Sequence, residues 1–276
     1  MQEEKLEGAG GPGIFVRSWR PAGKVRGVVA IVHGFNSHSG HYLWVAEQLV
    51  ATDLAVYALD LRGRGRSEGA RFYLRKFADY QSDVHRLVSL ARSRESGKTV
   101  FLLGHSAGGV ISCVYALDHQ ADLAGLICES FAFEVPAPGF ALAAIKGLSQ
   151  IAPRLRVLKL PIPAFSRDPQ IVEALNNDPL IAGEAQPAQT VAEMVRANER
   201  IRKEFALLKL PLLIIHGTAD SVTKPSGSQF FHDTAGSADK TLKLYQDYFH
   251  DPLNDLGKEL VMEDINAWIN ARLPVW

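Results

Sequence analysis

Gly104-His105-Ser106-Ala107-Gly108 follows the apolar run Val100-Phe101-Leu102-Leu103 and precedes the apolar, helix-like Val110-Ile111-Ser112-Cys113-Val114. A GxSxG serine between a strand and a helix sits in a sharp turn that exposes its hydroxyl for attack. Such a strained turn brings neighbouring backbone against the flanking strand and helix, where a Cβ would collide, so the glycines have a steric reason. Ser106 is the candidate nucleophile. A serine hydroxyl is a poor nucleophile near neutrality, so it needs a base to take its proton and a third group to orient that base.

Hydrolases of this kind run Ser, then Asp or Glu, then His along the chain, with the later groups in loops after late strands. Pro211 to Gly217 reads as a buried strand ending in a turn, and Asp220 stands just beyond it. The alternating Thr241-Leu242-Lys243-Leu244-Tyr245 leads through Gln246-Asp247-Tyr248-Phe249 to His250. Asp220 is therefore expected as the orienting acid and His250 as the general base. Of the nine histidines, only His250 combines the right order with a post-strand position. His33 begins a His33-Gly34 turn after Val28 to Val32 and is expected to hold that loop together. His105 is too close to Ser106 to serve its hydroxyl. Glu129, at the end of the strand-like Ala124 to Cys128, is the rival acid.

Acyl transfer passes through an oxyanion, which requires donors already aimed at it. The Ala107 amide, at a helix N-terminus, would supply one. The Phe35 amide, just after His33-Gly34, would supply the second.

These residues need a framework. Strand-like runs at Ile14 to Trp19, Val28 to Val32, Ala55 to Leu59 and Val100 to Leu103 alternate with helical patterns at Tyr42 to Val50 and Tyr80 to Ser93. That alternation predicts an α/β fold with a mostly parallel sheet covered on both faces. From Phe131 to Leu207 no strong strand appears, and Pro136, Pro138, Pro153, Pro161 and Pro163 punctuate the chain. The expected organisation is a core of residues 1–130 and 208–276, with 131–207 inserted as a mainly helical cap. Within the insertion, Phe140 to Leu148 is apolar nearly all round. It is expected either to pack on the core or to line an acyl-chain pocket and touch a lipid surface.

In their order, these features resemble an α/β-hydrolase of the monoglyceride lipase and lysophospholipase type. The resemblance covers nearly the whole chain. It rests on His33-Gly34 with His38-Ser39-Gly40 and Tyr42, on Asp60 with Arg62-Gly63-Arg64-Gly65-Arg66-Ser67-Glu68-Gly69, and on Gly104 to Gly109. Asn177-Asp178-Pro179-Leu180, Gly217-Thr218-Ala219-Asp220 and His250 complete it. The resemblance implies ester hydrolysis through an acyl-enzyme, with monoacylglycerol as a candidate substrate. Familiar monoglyceride lipases often have a small residue where this chain has Phe35, and charged or polar groups at the positions of Ser37, His41 and Leu253. Losing such partners is expected to loosen selectivity for glycerol. Small-ester, thioester and peptide hydrolysis remain alternatives, since fold does not fix function.

Length and composition accord with this. The chain has 276 residues, 47% of them hydrophobic, enough for a substantial core. Thirty basic and thirty acidic residues leave no formal net charge, and nothing in that balance predicts a nucleic-acid partner. Cys113 and Cys128 fall on a predicted helix and a predicted buried strand, where they are expected to be small apolar residues rather than a disulfide. Met1-Gln2-Glu3-Glu4-Lys5 lacks the apolar core of a signal peptide, and no run is long enough to span a bilayer. A soluble cytoplasmic protein is expected, acting on a small-molecule ester, needing no metal or cofactor, and touching membranes or micelles transiently through the cap. Oligomeric state leaves no mark on the sequence.

Overall fold

The computed structural model describes residues 1–8 and 11–274; residues 9, 10, 275 and 276 of the expected core segments lie outside it. In chain order the elements are β1 (Gln2–Gly8), β2 (Gly11–Trp19), β3 (Gly27–Val32), α1 (Leu43–Val50), β4 (Leu54–Leu59), α2 (Phe77–Arg94), β5 (Val100–His105), α3 (Ala107–Asp118) and β6 (Gly125–Glu129). There follow α4 (Gly139–Ile151), β7 (Arg156–Leu158), α5 (Pro169–Asn177), β8 (Gln186–Pro187), α6 (Ala188–Glu204), β9 (Leu212–Gly217), α7 (Pro225–Thr234), β10 (Lys240–Tyr245) and α8 (Lys258–Asn270).

Runs of Val, Ile and Leu that are apolar on both faces belong in a parallel sheet covered on both sides. Here β3, β4, β5, β6 and β9 are buried at every position. Eight strands form one sheet in the order β1-β2-β4-β3-β5-β6-β9-β10, parallel from β4 to β10, with β1 and β2 antiparallel at one edge. One apolar cluster joins α2, α3 and α6 to one face, and a second joins α1 and α8 to the other. Burying each large aliphatic side chain contributes about 1.5 to 3 kcal/mol, so these two layers hold the sheet in place.

The edge strand β1 was not predicted. Its Gln2-Glu3-Glu4-Lys5 run carries no apolar alternation, and charge suits an edge that must not pair with another chain. Arg66 and Arg94 meet its Glu3 and Glu4.

Between β6 and β9 the chain adds no strand to the main sheet. It does hold a small antiparallel pair, β7 with β8, too short at three and two residues to leave an alternating pattern in the sequence. Helix α4 packs along α6 but leaves much of its apolar surface uncovered: Phe140 is 79% exposed and Ile151 86%. The arginine-rich Arg62 to Arg66 lies in the loop after β4, as expected for a strand-end loop. Arg62 there holds Asp83 of α2 through contacts of 2.8 and 2.6 Å.

Candidate active site

Strand β5 delivers Ser106 to the mouth of the sheet and α3 starts at the next residue. Ser106 has φ 54° and ψ −119°, a conformation that costs a non-glycine residue about 1 to 3 kcal/mol. The turn is as tight as the motif implied: a Cβ on Gly104 would stand 2.6 Å from Ser112 Oγ and collide with the Gly108 carbonyl.

The chain brings the three expected residues together from points far apart in sequence. Ser106 Oγ lies 2.9 Å from His250 Nε2, and His250 Nδ1 lies 2.8 Å from Asp220 Oδ2. With the ring N–H donating to Asp220, the opposite nitrogen presents a lone pair to the serine hydroxyl. Asp220 follows β9 and His250 follows β10, neighbouring parallel strands, so their loops leave the same sheet edge. Gly217, at the end of β9, lets them meet, since a Cβ there would strike the Tyr248 and Phe249 carbonyls.

Burial alone would push the Asp220 carboxyl up. The pull of His250 and the hydrogen bonds from His216 and His250 outweigh it and hold the group far below the usual carboxylate range. Its other contacts were not foreseen. His216 Nε2 lies 3.0 Å from Oδ2 and Thr223 Oγ1 donates to the same oxygen at 2.7 Å. The Val222 and Thr223 amides donate to Oδ1 at 2.7 and 3.0 Å. The amide contacts form the local turn that an Asp followed by a Thr three residues on can build, a signal available in the sequence. The His216 contact arises only from the fold.

Glu129, the rival acid, points elsewhere: its Oε1 accepts the Leu253 amide at 2.8 Å. Burial, then the charge of Asp251, push its carboxyl well above the ordinary range, which favours the protonated form. His105 supports the base from below, its Nε2 donating to the His250 carbonyl at 3.1 Å.

The two expected oxyanion donors flank the serine. Ala107 is the first residue of α3, and Phe35 follows His33-Gly34 after β3. Among the described residues neither amide has a protein acceptor. His33 does hold its loop, donating from Nδ1 to the Gly34 carbonyl at 2.6 Å and accepting the Leu61 amide at Nε2, 2.9 Å away.

Burial pushes the His33 imidazole down from 6.5 to about 3. The folded state therefore binds this proton less readily than the unfolded chain. The stability tied to neutral His33 is fully present above pH 6.5 and is lost as pH falls from there toward 3, at up to about 1.4 kcal/mol per pH unit. Urea midpoints measured at pH 7.5 and 5 should fall more steeply for wild type than for His33→Gln. Equal slopes would mean that His33 is not the buried neutral group described.

Among the described residues, two groups have the residue types of a metal site. His38, His41 and Asp178 form one, but the Gly40 amide donates to His38 Nδ1 at 3.0 Å and leaves the ring proton on Nε2. That nitrogen and His41 Nε2 each lie 2.8 Å from Asp178 Oδ2, an arrangement of hydrogen bonds rather than of ligands. The other group is His105, Glu129 and Asp251, buried beneath His250.

A parallel sheet covered by helices, with a strained serine between strand and helix and a histidine and an aspartate after the last two strands, defines an α/β-hydrolase, and the protein is a serine hydrolase. The chain belongs to the family described as serine aminopeptidase, S33, whose profile matches residues 23–257. It is 33% identical over 273 residues to a monoacylglycerol lipase of Mycolicibacterium smegmatis, covering 98% of each chain. It is 32% identical over 276 residues to the human monoglyceride lipase, covering 97% of this chain and 90% of the other. Among solved structures, the monoacylglycerol lipase of Paleococcus ferrophilus superposes with a TM-score of 0.85 at 28% identity, over 94% of this chain and 99% of that one.

Proposed function

We propose that this enzyme hydrolyses lipid-like carboxylic esters, monoacylglycerols among them, with Ser106 as nucleophile, His250 as base and Asp220 as orienting acid. The observation that carries the reading is the continuous Ser106, His250, Asp220 hydrogen-bond chain of 2.9 and 2.8 Å. His250 takes the Ser106 proton as the hydroxyl attacks the ester carbonyl, and the Phe35 and Ala107 amides hold the oxyanion. His250 returns the proton to the departing alcohol and leaves an acyl-enzyme. Water that gives its proton to His250 then attacks the acyl carbonyl. Collapse of that second intermediate releases the acid and returns the proton to Ser106.

The lipid character rests on the monoacylglycerol and monoglyceride lipase relatives and on α4. We read residues 131–207 as a cap over the core segments 1–130 and 208–276. Phe165, from the cap, packs edge-on against His250 at 5.0 Å between ring centres, and Ser106 is 4% exposed. These contacts support a serine sheltered beneath the cap. Exposed Phe140 and Ile151 give the cap an apolar face suited to a membrane or micelle surface. No helix among the described residues is long and apolar enough to cross a membrane. Cys113 and Cys128 are unpaired and buried, which fits the reducing cytoplasm, where we place the protein.

The double variant Phe140→Ser with Ile151→Ser should lower activity on monoacylglycerol in vesicles several-fold and leave hydrolysis of soluble p-nitrophenyl butyrate unchanged. Wild-type activity on the vesicles would remove the surface role of α4.

The substrate class is tested by p-nitrophenyl esters of short, medium and long chains beside monoacylglycerols, with aminoacyl amides and thioesters as comparisons. The expected result is a maximum at medium or long acyl chains, turnover of monoacylglycerol, and no turnover by Ser106→Ala. Activity confined to acetyl esters, or to amides, would overturn the lipid reading.

A further inference from the structure

We infer that Glu184, which the cap contributes, is a positioning residue for the oxyanion hole. The inference rests on the reading of Phe35 as an oxyanion donor and adds the groups that hold that donor in place.

The Gly34-Phe35 peptide lies against the nucleophile: a Cβ built on Gly34 would stand 2.9 Å from both the His105 carbonyl oxygen and Ser106 Cβ. His33 Nδ1 donates to the Gly34 carbonyl at 2.6 Å. In a trans peptide the N–H points opposite to the C=O, so this bond aims the Phe35 N–H away from His33. One hydrogen bond leaves the peptide free to pivot about it. The following residue must hold the other side, and Asn36 is in the left-handed region with φ 54°, a conformation that needs support.

Glu184 supplies that support from 148 residues away: its Oε1 accepts the Asn36 amide at 2.9 Å. The same oxygen takes Gln186 Nε2 at 2.7 Å and the Arg64 guanidinium. Arg64 in turn donates to Gln186 Oε1 at 2.6 Å and to the Tyr80 hydroxyl at 3.2 Å, and its guanidinium lies 4.2 Å from the centre of the Phe35 ring. Arg64, Glu184 and Gln186 are all buried. A buried charge without a partner is costly, so neither ion leaves the other readily. The donor residue is thus clamped three times: at its peptide carbonyl by His33, at its ring by Arg64, and at the next amide by Glu184.

Two of these clamps belong to the core, and the third lies between α5 and β8 in the cap. The cap therefore completes the oxyanion hole as well as covering it, and the donor is fully aimed only when the cap base is seated. Groups that act this way stabilise the transition state and leave ground-state binding nearly untouched.

The test measures kcat, KM and the inhibition constant of an alkyl trifluoromethyl ketone for Glu184→Gln and Glu184→Ala. The ketone's tetrahedral adduct with Ser106 places an oxyanion in the hole. Removing a single oxyanion donor costs about 100-fold or more, and a misplaced one costs less. Glu184→Gln should lose about fivefold in kcat and Glu184→Ala about 30-fold, with KM within about twofold and ketone affinity falling by matching factors. Rates are taken per active site, counted with a fluorophosphonate. If the alanine variant does not fold, the isosteric glutamine variant decides.

Wild-type kcat and ketone affinity in a folded Glu184→Gln would overturn the clamp while leaving Ser106, His250 and Asp220 in their roles. Loss of melting temperature with unchanged kcat per site would do the same, because it marks a merely structural contact. Failure of the underlying reading looks different: Glu184→Gln would lose kcat while its ketone affinity stayed at the wild-type value, placing the lost contact outside the oxyanion hole.

Discussion

Replacing Ser106 with alanine should reduce kcat/KM for p-nitrophenyl butyrate by about 10⁵-fold or more, because removing the nucleophile of such a triad costs as much as removing the whole set. The fold should survive. Ser106 makes its side-chain contact with His250 alone, and alanine inherits the same φ of 54° with no larger side chain to accommodate. A melting temperature within about 2 °C of wild type would separate lost chemistry from lost structure. A folded, active Ser106→Ala would end the assignment, since among the described residues no other hydroxyl group stands at His250 Nε2.

Asp220→Asn should cost about 10⁴-fold in kcat, the effect seen when an orienting aspartate can no longer hold the imidazole in its working tautomer. An asparagine facing His250, His216 and Thr223 meets groups placed to donate to a carboxylate. Turning its NH₂ toward His250 would draw the ring proton to Nε2, where the serine needs a lone pair. Stability should fall as well, because the buried Thr223 and His216 contacts lose a charged acceptor, each such bond being worth about 1.5 to 3 kcal/mol. Glu129→Gln is the companion measurement. Its carboxyl meets the Leu253 amide and not the base, so it should retain most of kcat. The reverse pattern, with Asp220→Asn active and Glu129→Gln dead, would restore Glu129 as the acid.

The site was legible in the sequence to the extent that it follows chain order. Ser106, Asp220 and His250 each stand just past a strand whose apolar run is visible without a structure, and parallel strands gather such loops at one edge of the sheet. The groups that hold them were not legible. His216 meets Asp220 because both flank the end of β9, and Thr223 because the chain turns back on itself. His105 reaches the His250 carbonyl only because the loop after β10 returns to the end of β5, three places away in the sheet.

Arg64 shows the limit most clearly. In the sequence it is one arginine of a glycine-rich turn; in the fold it is fully buried, tied to a glutamate 120 residues away and stacked on Phe35. No periodicity announces a pairing of that separation. The edge strand β1 was missed because its side chains face solvent and solve a problem of edges rather than of burial. The apolar character of Phe140 to Leu148 was plain, but whether it would be covered depended on how α4 sits on α6, and much of it is left bare.

Labelling with a fluorophosphonate and locating the adduct by peptide mass spectrometry shows which residue attacks the substrate. One adduct is expected, on Ser106, formed more slowly in Asp220→Asn, absent in Ser106→Ala, and suppressed when a medium-chain monoacylglycerol is present during the reaction. An enzyme that hydrolyses esters yet takes no label, or takes it at another residue, would remove Ser106 as the nucleophile.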